Sequence, residues 1–474
     1  MAGSVQGTPG FNLTPAPSKQ LLSSNYINDF NFLDQYLPDT YEKEFERYGN
    51  RSIASFLRAV GAEMPSNSDL IKWSEQGRLH TQYTGIEAME AIGDTTAGQQ
   101  KFEIASGTCN FRVGQTVILS SATDSSTQKA IVVTVGVGNA QEFVVAYYEN
   151  AGAGITSGNT DIVAFVYGSE FKKGTAGMSG SLEAESEFFD NKPIIIKDKY
   201  EVSGSDMAQI GWVEVTTENG ATGYLWYIKS EHETRLRFED YMEMAMIEGV
   251  PTEAGSGALA YLTGTSVGAT ADEAGTEGMF YAIENRGNVW SGGNPSTLAD
   301  FDAVIERLDK QGSIQENVLF LNRQFGFDID DMLAAQNSYG AGGTSYGLFD
   351  NDEQMALNLG FSGFKRGYEF YKTDWKYLND ATLRGGLAAD KVNGVLVPAG
   401  SMTVYDQVLG KNATRPFLHV RYRASETEDR RYKTWITGSA GGAATSDLDA
   451  MEVHFLSERA LCTMGANNFF IFKD

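Results

Sequence analysis

The chain has 474 residues, with 62 acidic and 37 basic side chains and a formal net charge of −25 at pH 7. Apolar residues make up 42% and aromatic residues 12%, enough for large cores and too much for a disordered chain. So acidic an average argues against a protein built to grip nucleic acid, which needs basic patches to neutralise phosphates, although an acidic wall can enclose DNA without sticking to it.

The length suits two to four domains. The opening Met1–Gly10 stretch has no apolar core, so no secretory signal is expected. No run of about 18–20 apolar residues occurs, so no membrane span is expected. Cys109 and Cys462 are the only cysteines. They lie far apart, which excludes a disulfide framework and a zinc cluster and suits two buried thiols in a reducing cytoplasm.

Residues 1–38 read as an extended arm. Pro9, Pro15, Pro17 and Pro38 break helices, yet Tyr26, Ile27, Phe30, Phe32, Leu33, Tyr36 and Leu37 need burial. An apolar arm without its own fold lies on something else, such as a neighbouring subunit. Asp39 and Glu42 have capping-box spacing for a short helix to Arg47. A second helix is predicted over 52–60, with Ile53, Phe56, Leu57 and Val60 on one face and Gly61 at its end.

Between residues 101 and 170 the pattern becomes β-rich. Strands are predicted at 111–119, 130–135, 143–148 and 162–167, separated by turn chemistry, which suits a small all-β barrel or sandwich. Residues 193–202 and 208–215 read as a long hairpin around Ser203-Gly204-Ser205-Asp206, with Lys197 and Lys199 on an exposed face or awaiting a partner. From Gly223 to Glu248 no further glycine or proline interrupts a helix about 40 Å long. Leu225, Ile228, His232 and Leu236 share one face, and Phe238, Tyr241, Met242 and Ala245 another, so this spine is expected to pack against two layers.

A helix follows Thr297 with capping-box spacing to Asp300, an apolar stripe of Leu298, Phe301, Val304, Ile305 and Leu308, and Gly312 at its end. Further elements are a buried strand at 318–321, helices at 327–336 and 350–359, and strands at 368–375 and 394–397. The end returns to strands at 416–423, 432–437, 451–455 and 469–472. The glycine-rich stretch 336–347 is a candidate hinge.

Catalytic signals are weak. Gly264-Thr265-Ser266-Val267-Gly268 matches a nucleophile elbow, but lacks the strand before and the helix after that would aim Ser266. His80, His232, His419 and His454 have no metal-ligand spacing. Asp328, Asp330 and Asp331 lack the glycine and distal glutamate of a calcium loop, and suit a helix start. Glu426, Glu428 and Asp429 offer no acid–base pair, and there is no phosphate-cradling glycine motif. Arg421, Arg423, Arg430, Arg431 and Lys433 cluster near a strand–turn–strand, as a solvated face, an inter-subunit contact to carboxylates, or a DNA contact.

The order of elements (apolar arm, hairpin, very long helix, mixed α+β region, late strands) resembles the major capsid proteins of tailed bacteriophages, the Hong Kong ninety-seven type fold. With its β-rich insertion the chain looks more narrowly like capsid proteins of crAss-like gut phages. The resemblance implies an α+β fold divided into an N-terminal arm at 1–65, a first part of the E-loop and P-domain region at 66–94, and a β-rich insertion domain at 95–175. It further implies an E-loop at 176–221, a P domain with the spine helix at 222–300, an A domain at 301–400, and P-domain strands and C-terminus at 401–474.

It also implies a structural protein without catalytic residues, cofactor or metal, forming hexamers and pentamers of an icosahedral head around double-stranded DNA. Its partners would be itself, portal, scaffolding and auxiliary or head-fibre proteins, with no membrane. It would be assembled in the host bacterial cytoplasm and located in the virion. Tyr26, Phe30, Phe32, Lys197, Lys199, Arg421, Arg423, Arg430 and Arg431 are the candidate inter-subunit contacts. The alternatives are another virion component, of tail or receptor-binding type, and a serine hydrolase built on Ser266.

Overall fold

In the computed structural model the chain is a mixed α+β protein. The structure describes residues 56–57 and 63–474, except 79, 81, 95, 106–108, 137, 150–153, 185, 209–214, 217–221, 224–225, 265–273, 313, 338–362, 407–410 and 443. Two compact units arise, one spanning Trp73–Phe189 and the other taking the chain up to Lys72 and from Asp190 onward.

In the larger unit, β1 (Glu63–Ser66) starts the described sheet structure, and β2 (Ile71–Gln76) runs from it into the smaller one. The smaller unit holds β3 (Gln82–Ala88), β4 (Gln99–Ile104), β5 (Gln115–Ser121), β6 (Ser126–Val135), β7 (Glu142–Tyr147) and β8 (Ile162–Ser169). These close into a barrel in the order β3-β4-β7-β6-β5-β8.

Each barrel strand sends two alternate residues inward: Ile86 and Ala88, Phe102 and Ile104, Val117 and Leu119, Ala130 and Val132, Phe143 and Val145, Ile162 and Ala164. Successive side chains on a strand point to opposite faces, so this period-two pattern is what closes the core. The interior is filled with side chains. Phe111, expected to open a strand, instead lies before β5 and packs its ring against Tyr83 and Phe143, with centroids 4.4 and 4.7 Å away. The compact unit is wider than the 95–175 insertion expected from the sequence, because β3 also belongs to the barrel.

β9 (Ser186–Asn191) runs across the boundary back into the larger unit and pairs with β2, and β10 (Ile194–Ser203) follows. Then come α1 (Trp226–Glu248), α2 (Gly257–Thr263), α3 (Met279–Arg286), β11 (Asn288–Ser291), α4 (Leu298–Gln311), β12 (Glu316–Leu321) and α5 (Arg323–Asn337). The chain ends with β13 (Gly363–Arg366), β14 (Tyr368–Asp374), β15 (Val392–Pro398), the hairpin β16 (Ser401–Asp406) and β17 (Lys411–Pro416), β18 (Leu418–Arg423), β19 (Lys433–Gly438), β20 (Ala450–Thr463) and β21 (Phe470–Lys473).

A six-stranded mixed sheet runs β11-β21-β15-β12-β14-β13. Its centre, β15, is buried at every position, as a strand covered on both faces must be. One face meets α4 and α5 through Phe301, Val304, Leu308, Phe325 and Ile329. The other meets α3 and the end of α1 through Met279, Phe280, Ile283, Met246 and Ile247. The α4 boundaries follow the sequence: Thr297 and Asp300 form the reciprocal capping box, and Gly312 closes the helix at φ 69°. By contrast, α5 begins earlier than predicted, because the Asn322 side chain accepts a hydrogen bond from the Phe325 amide at 2.7 Å.

The second sheet is centred on β20. Its first part pairs antiparallel with β10, from Ala450 opposite Ser203 to Arg459 opposite Ile194. On its other side it pairs with β19 and then with β18. Beyond β18 lies β1, parallel, within the region expected to end the arm. β10 thus takes β20 along one edge, while most of the predicted hairpin partner, 208–215, lies outside the described residues. Residues 204–207 form a single helical turn capped by Ser203, and 209–214 lie outside the described residues.

The spine helix α1 joins the two sheets. Phe238 and Met242 pack with Val202, Met451, Val453 and Phe455 on β10 and β20. One turn further on, Met246 and Ile247 enter the core of the six-stranded sheet. Packing against two layers is thus carried by a single 238–242–246 stripe with i, i+4 spacing. Of the other predicted stripe, Ile228 is 39% exposed, His232 and Leu236 are half-buried, and Leu225 lies outside the described residues.

At the end of α1 the backbone crosses the start of α3 at two glycines. A Cβ on Gly278 would lie 2.5 Å from the Gly249 nitrogen, so neither helix end could approach this closely with a side chain there. Glu248 sits at the negative end of the α1 dipole. Arg384 and the Tyr377 hydroxyl, each 2.6 Å from its carboxylate, offset that placement.

Candidate assembly surfaces

Two polar surfaces of the larger unit bring the sequence candidates together. The first lies on the β10–β20–β19 ladder, on the side away from α1. Lys199, His454 and Trp435 occupy one cross-strand row, and Glu201, Glu452 and Thr437 the next. Glu201 and Glu452 face each other, and like charges opposite one another repel. Lys199 sits between them and donates to both at 2.7 Å. Those two carboxylates hold the Lys199 ammonium at about 12, above its ordinary value. Trp435 stacks on His454 with centroids 5.0 Å apart and planes at 15°. Lys197 is exposed, and so is Ile195 at the same edge.

The second surface is the arginine cluster. Arg423 pairs with Asp69, and its Nη1 lies 3.9 Å from Glu458. Arg430 pairs with the other oxygen of Glu458. Arg431 pairs with Glu63 and lies over the Tyr422 ring. Arg459, almost wholly buried, reaches Glu63 at 3.3 Å and donates to the Arg431 carbonyl at 3.0 Å. Three of the four arginines singled out from the sequence therefore have carboxylates within the chain. The fourth, Arg421, lies partly buried beside Arg415 and His419, above the buried Cys462. Burial, then the charges of Arg415 and Arg421, push the His419 imidazole down to about 4, so it is neutral at pH 7.

Sequence reasoning did not find the acids in these networks, nor Arg459. Glu63 and Arg431 are 368 positions apart, and no local pattern announces such a pairing. It also missed Asn191, a buried residue at the start of the larger unit's second segment. Its Nδ2 donates to the carbonyls of Leu461 at 2.6 Å and Glu277 at 2.9 Å. Its Oδ1 accepts from the Glu277 and Lys192 amides, each at 2.8 Å, and from the Thr276 hydroxyl at 3.1 Å.

Tyr26, Phe30 and Phe32 lie outside the described residues, as do Ser266, the predicted helix at 350–359 and all of the hinge candidate 336–347 beyond Asn337, where α5 ends. Asp328 bonds Asn294 and Gln324, and Asp330 pairs with Lys372, all one turn or more inside α5 rather than at its start. His80 is exposed, and His454 belongs to the ladder. Among the described residues no group of three or more His, Cys, Asp or Glu is placed to hold a metal ion. No described helix is long and apolar enough to cross a membrane.

These features define a two-sheet α+β body built on one long helix, with a separately folded, side-chain-filled barrel. No family model and no curated protein matches the sequence. Among solved structures the chain is similar to the mature capsid of bacteriophage PhiM1, at 9% identity and a TM-score of 0.39, covering 93% of this chain and 92% of that one. It is also similar to the capsid of the cyanophage P-SCSP1u, at 8% identity and a TM-score of 0.39, covering 97% and 98%. A third likeness is to the capsid of a native GTA particle, at 8% identity and a TM-score of 0.37, covering 92% and 95%. With identities near a tenth and TM-scores under 0.5, the case for function is left to this chain's own elements.

Proposed function

We propose that this chain is the major capsid protein of a tailed bacteriophage, of the crAss-like kind, whose copies form the hexamers and pentamers of an icosahedral head around double-stranded DNA. The observation that carries this reading is α1: one helix of 23 residues shared by two cores, with β10 held along the C-terminal strand β20. Such a helix couples two sheets into a body that passes a contact at one end to the other. The apolar arm carrying Tyr26, Phe30 and Phe32 has the composition of a segment that lies on a neighbour. Lys197 and Ile195 are exposed on β10, whose second edge has no strand partner among the described residues and suits the same purpose. The acidic charge suits a wall that encloses DNA without binding its sequence.

On this reading residues 1–65 are the arm, 176–221 the E-loop, 222–300 and 401–474 the P domain, and 301–400 the A domain. The barrel is the insertion, and portal, scaffolding and auxiliary or head-fibre proteins are the partners. Assembly takes place in the host cytoplasm. Negative-stain microscopy of the purified protein, alone and with lysate of infected cells, tests it. Closed shells or rings of five and six subunits are expected. Fibres or trimers would replace the reading with that of a tail component.

A further inference from the structure

Cross-strand neighbours on one face decide which charges a sheet can neutralise. On β18, residues 419, 421 and 423 point to the same side. The row of Arg423 holds Ser66 of β1, and Glu458 and Asp69 complete its ion pairs. The row of Arg421, two residues earlier, holds Met64 on one side and Ala460 on the other. The row before that pairs His419 with Cys462. Arg421 thus stands among uncharged neighbours, with a second cation, Arg415, close enough to act on the same group.

The Arg421 Nε is sealed from solvent and has no hydrogen-bond partner. No ion pair among the described residues reaches its guanidinium. Burial holds that guanidinium below its ordinary range, and the nearby Cys462 thiol only partly opposes the effect. A cation taken out of water without a counter-charge is costly, and the cost falls on the subunit alone. The side chain as a whole is only partly covered, so an incoming group can still reach it.

We propose that Arg421 is a carboxylate socket completed by a second copy of this chain. The inference rests on the shell reading above and names one contact within it. Three observations select the occupant. A guanidinium matches a carboxylate through paired N–H donors. Each copy carries 62 acids against 37 basic residues, so a neighbour brings surplus carboxylates. The other arginines of the cluster, Arg423, Arg430, Arg431 and Arg459, already have partners within the chain, which leaves Arg421 as the place where an added negative charge is favourable. A DNA phosphate is the poorer fit, because backbone binding calls for an open basic patch.

The test compares wild type with Arg421→Met, which keeps side-chain length and removes the charge, and with Arg421→Lys, which keeps the charge and loses the fork. Subunit melting is followed by calorimetry, and assembly by light scattering against concentration with microscopy of the products. For the methionine variant the expected result is a subunit melting temperature raised by about 2–4 °C. Its assembly threshold should rise roughly tenfold, with lysine in between. A methionine variant that melts lower than wild type, or fails to fold, overturns the socket, because the charge then has its partner within the subunit. One that assembles at the wild-type threshold also overturns it and leaves the shell reading standing. Inorganic phosphate that raises wild-type melting but not that of the variant, with assembly unchanged, replaces the carboxylate by a free anion. A wild type that never self-associates overturns both.

Discussion

Replacing Asn191 by leucine, which is close in volume and apolar, tests how the larger unit is locked together. The Asn191 amide group makes five hydrogen bonds: to the Leu461 carbonyl on β20, to the Thr276 hydroxyl and the Glu277 amide and carbonyl just before α3, and to the neighbouring Lys192 amide. The Lys192 amide can find water, but the other four partners lie against a side chain that is 95% buried. Each loses a bond whose net contribution is about 1 kcal/mol, so Asn191→Leu should cost about 4 kcal/mol. The assay is urea unfolding followed by tryptophan fluorescence, together with amide exchange at Leu461 and at 276–279. Exchange should accelerate at both places, while the barrel, whose strands lie within 73–189, keeps its protection. A loss below about 1 kcal/mol would refute the reasoning, since it would mean that the freed groups find other partners.

Three further outcomes follow from the same geometry. Phe238→Ala and Met246→Ala truncate α1 on its two different layers, and each should cost about 3–5 and 2–5 kcal/mol respectively. Both should lower one shared melting transition of the larger unit, and two separated transitions would show that α1 does not couple the sheets. For His419 the folded pKa of about 4 lies below the ordinary 6.5. The stability owed to its neutral form is therefore fully present above pH 6.5 and lost as pH falls toward 4, about 3 kcal/mol in all. His419→Asn should flatten denaturation midpoints across that window. In the barrel, the Thr156 amide and hydroxyl hold the Asp124 carboxyl below its ordinary 3.8, so its contribution is present above that pH and lost below it. Asp124→Asn should speed amide exchange around 154–159 at neutral pH, and the difference from wild type should vanish in acid.

What the sequence discloses divides along one physical line. Elements set by local chemistry are legible. The α4 helix starts and stops at the residues that cap it, and four barrel strands show their β-branched runs. The barrel strands that escape notice are β3, interrupted by Gly85 at φ 68°, and β4, whose Gln99-Gln100-Lys101 opening is polar. Each supplies only two core side chains, which is all a closed barrel asks of a strand. Pairing partners are illegible for a different reason. β10 pairs with β20, about 250 residues away, and only the burial of Val202 with Met451, Val453 and Phe455 under α1 marks that partner. The same holds for the basic cluster: its four arginines and Lys433 are visible in the sequence, but not that Glu63, Asp69 and Glu458 meet three of the arginines.

The position of β20 shows what that nonlocal pairing implies for how the body forms. Among the described residues this strand of 14 residues is the only partner of β10 and β19, and it joins β18 to both. A few residues later β21 fills the gap between β11 and β15 in the other sheet. The turn between them uses Gly465 at φ 60°, which lets the chain pass from one sheet to the other within six residues. The two largest sheets of the larger unit are thus completed by strands that lie within residues 450–473. Until those residues arrive, β10 has an open edge and the core under α1 lacks one wall. The barrel carries no such dependence, because every strand it needs lies between Trp73 and Phe189. Contacts between distant segments impose the largest loop-closure cost and come late. Pairing of β10 with β20 is therefore expected to follow closure of the barrel.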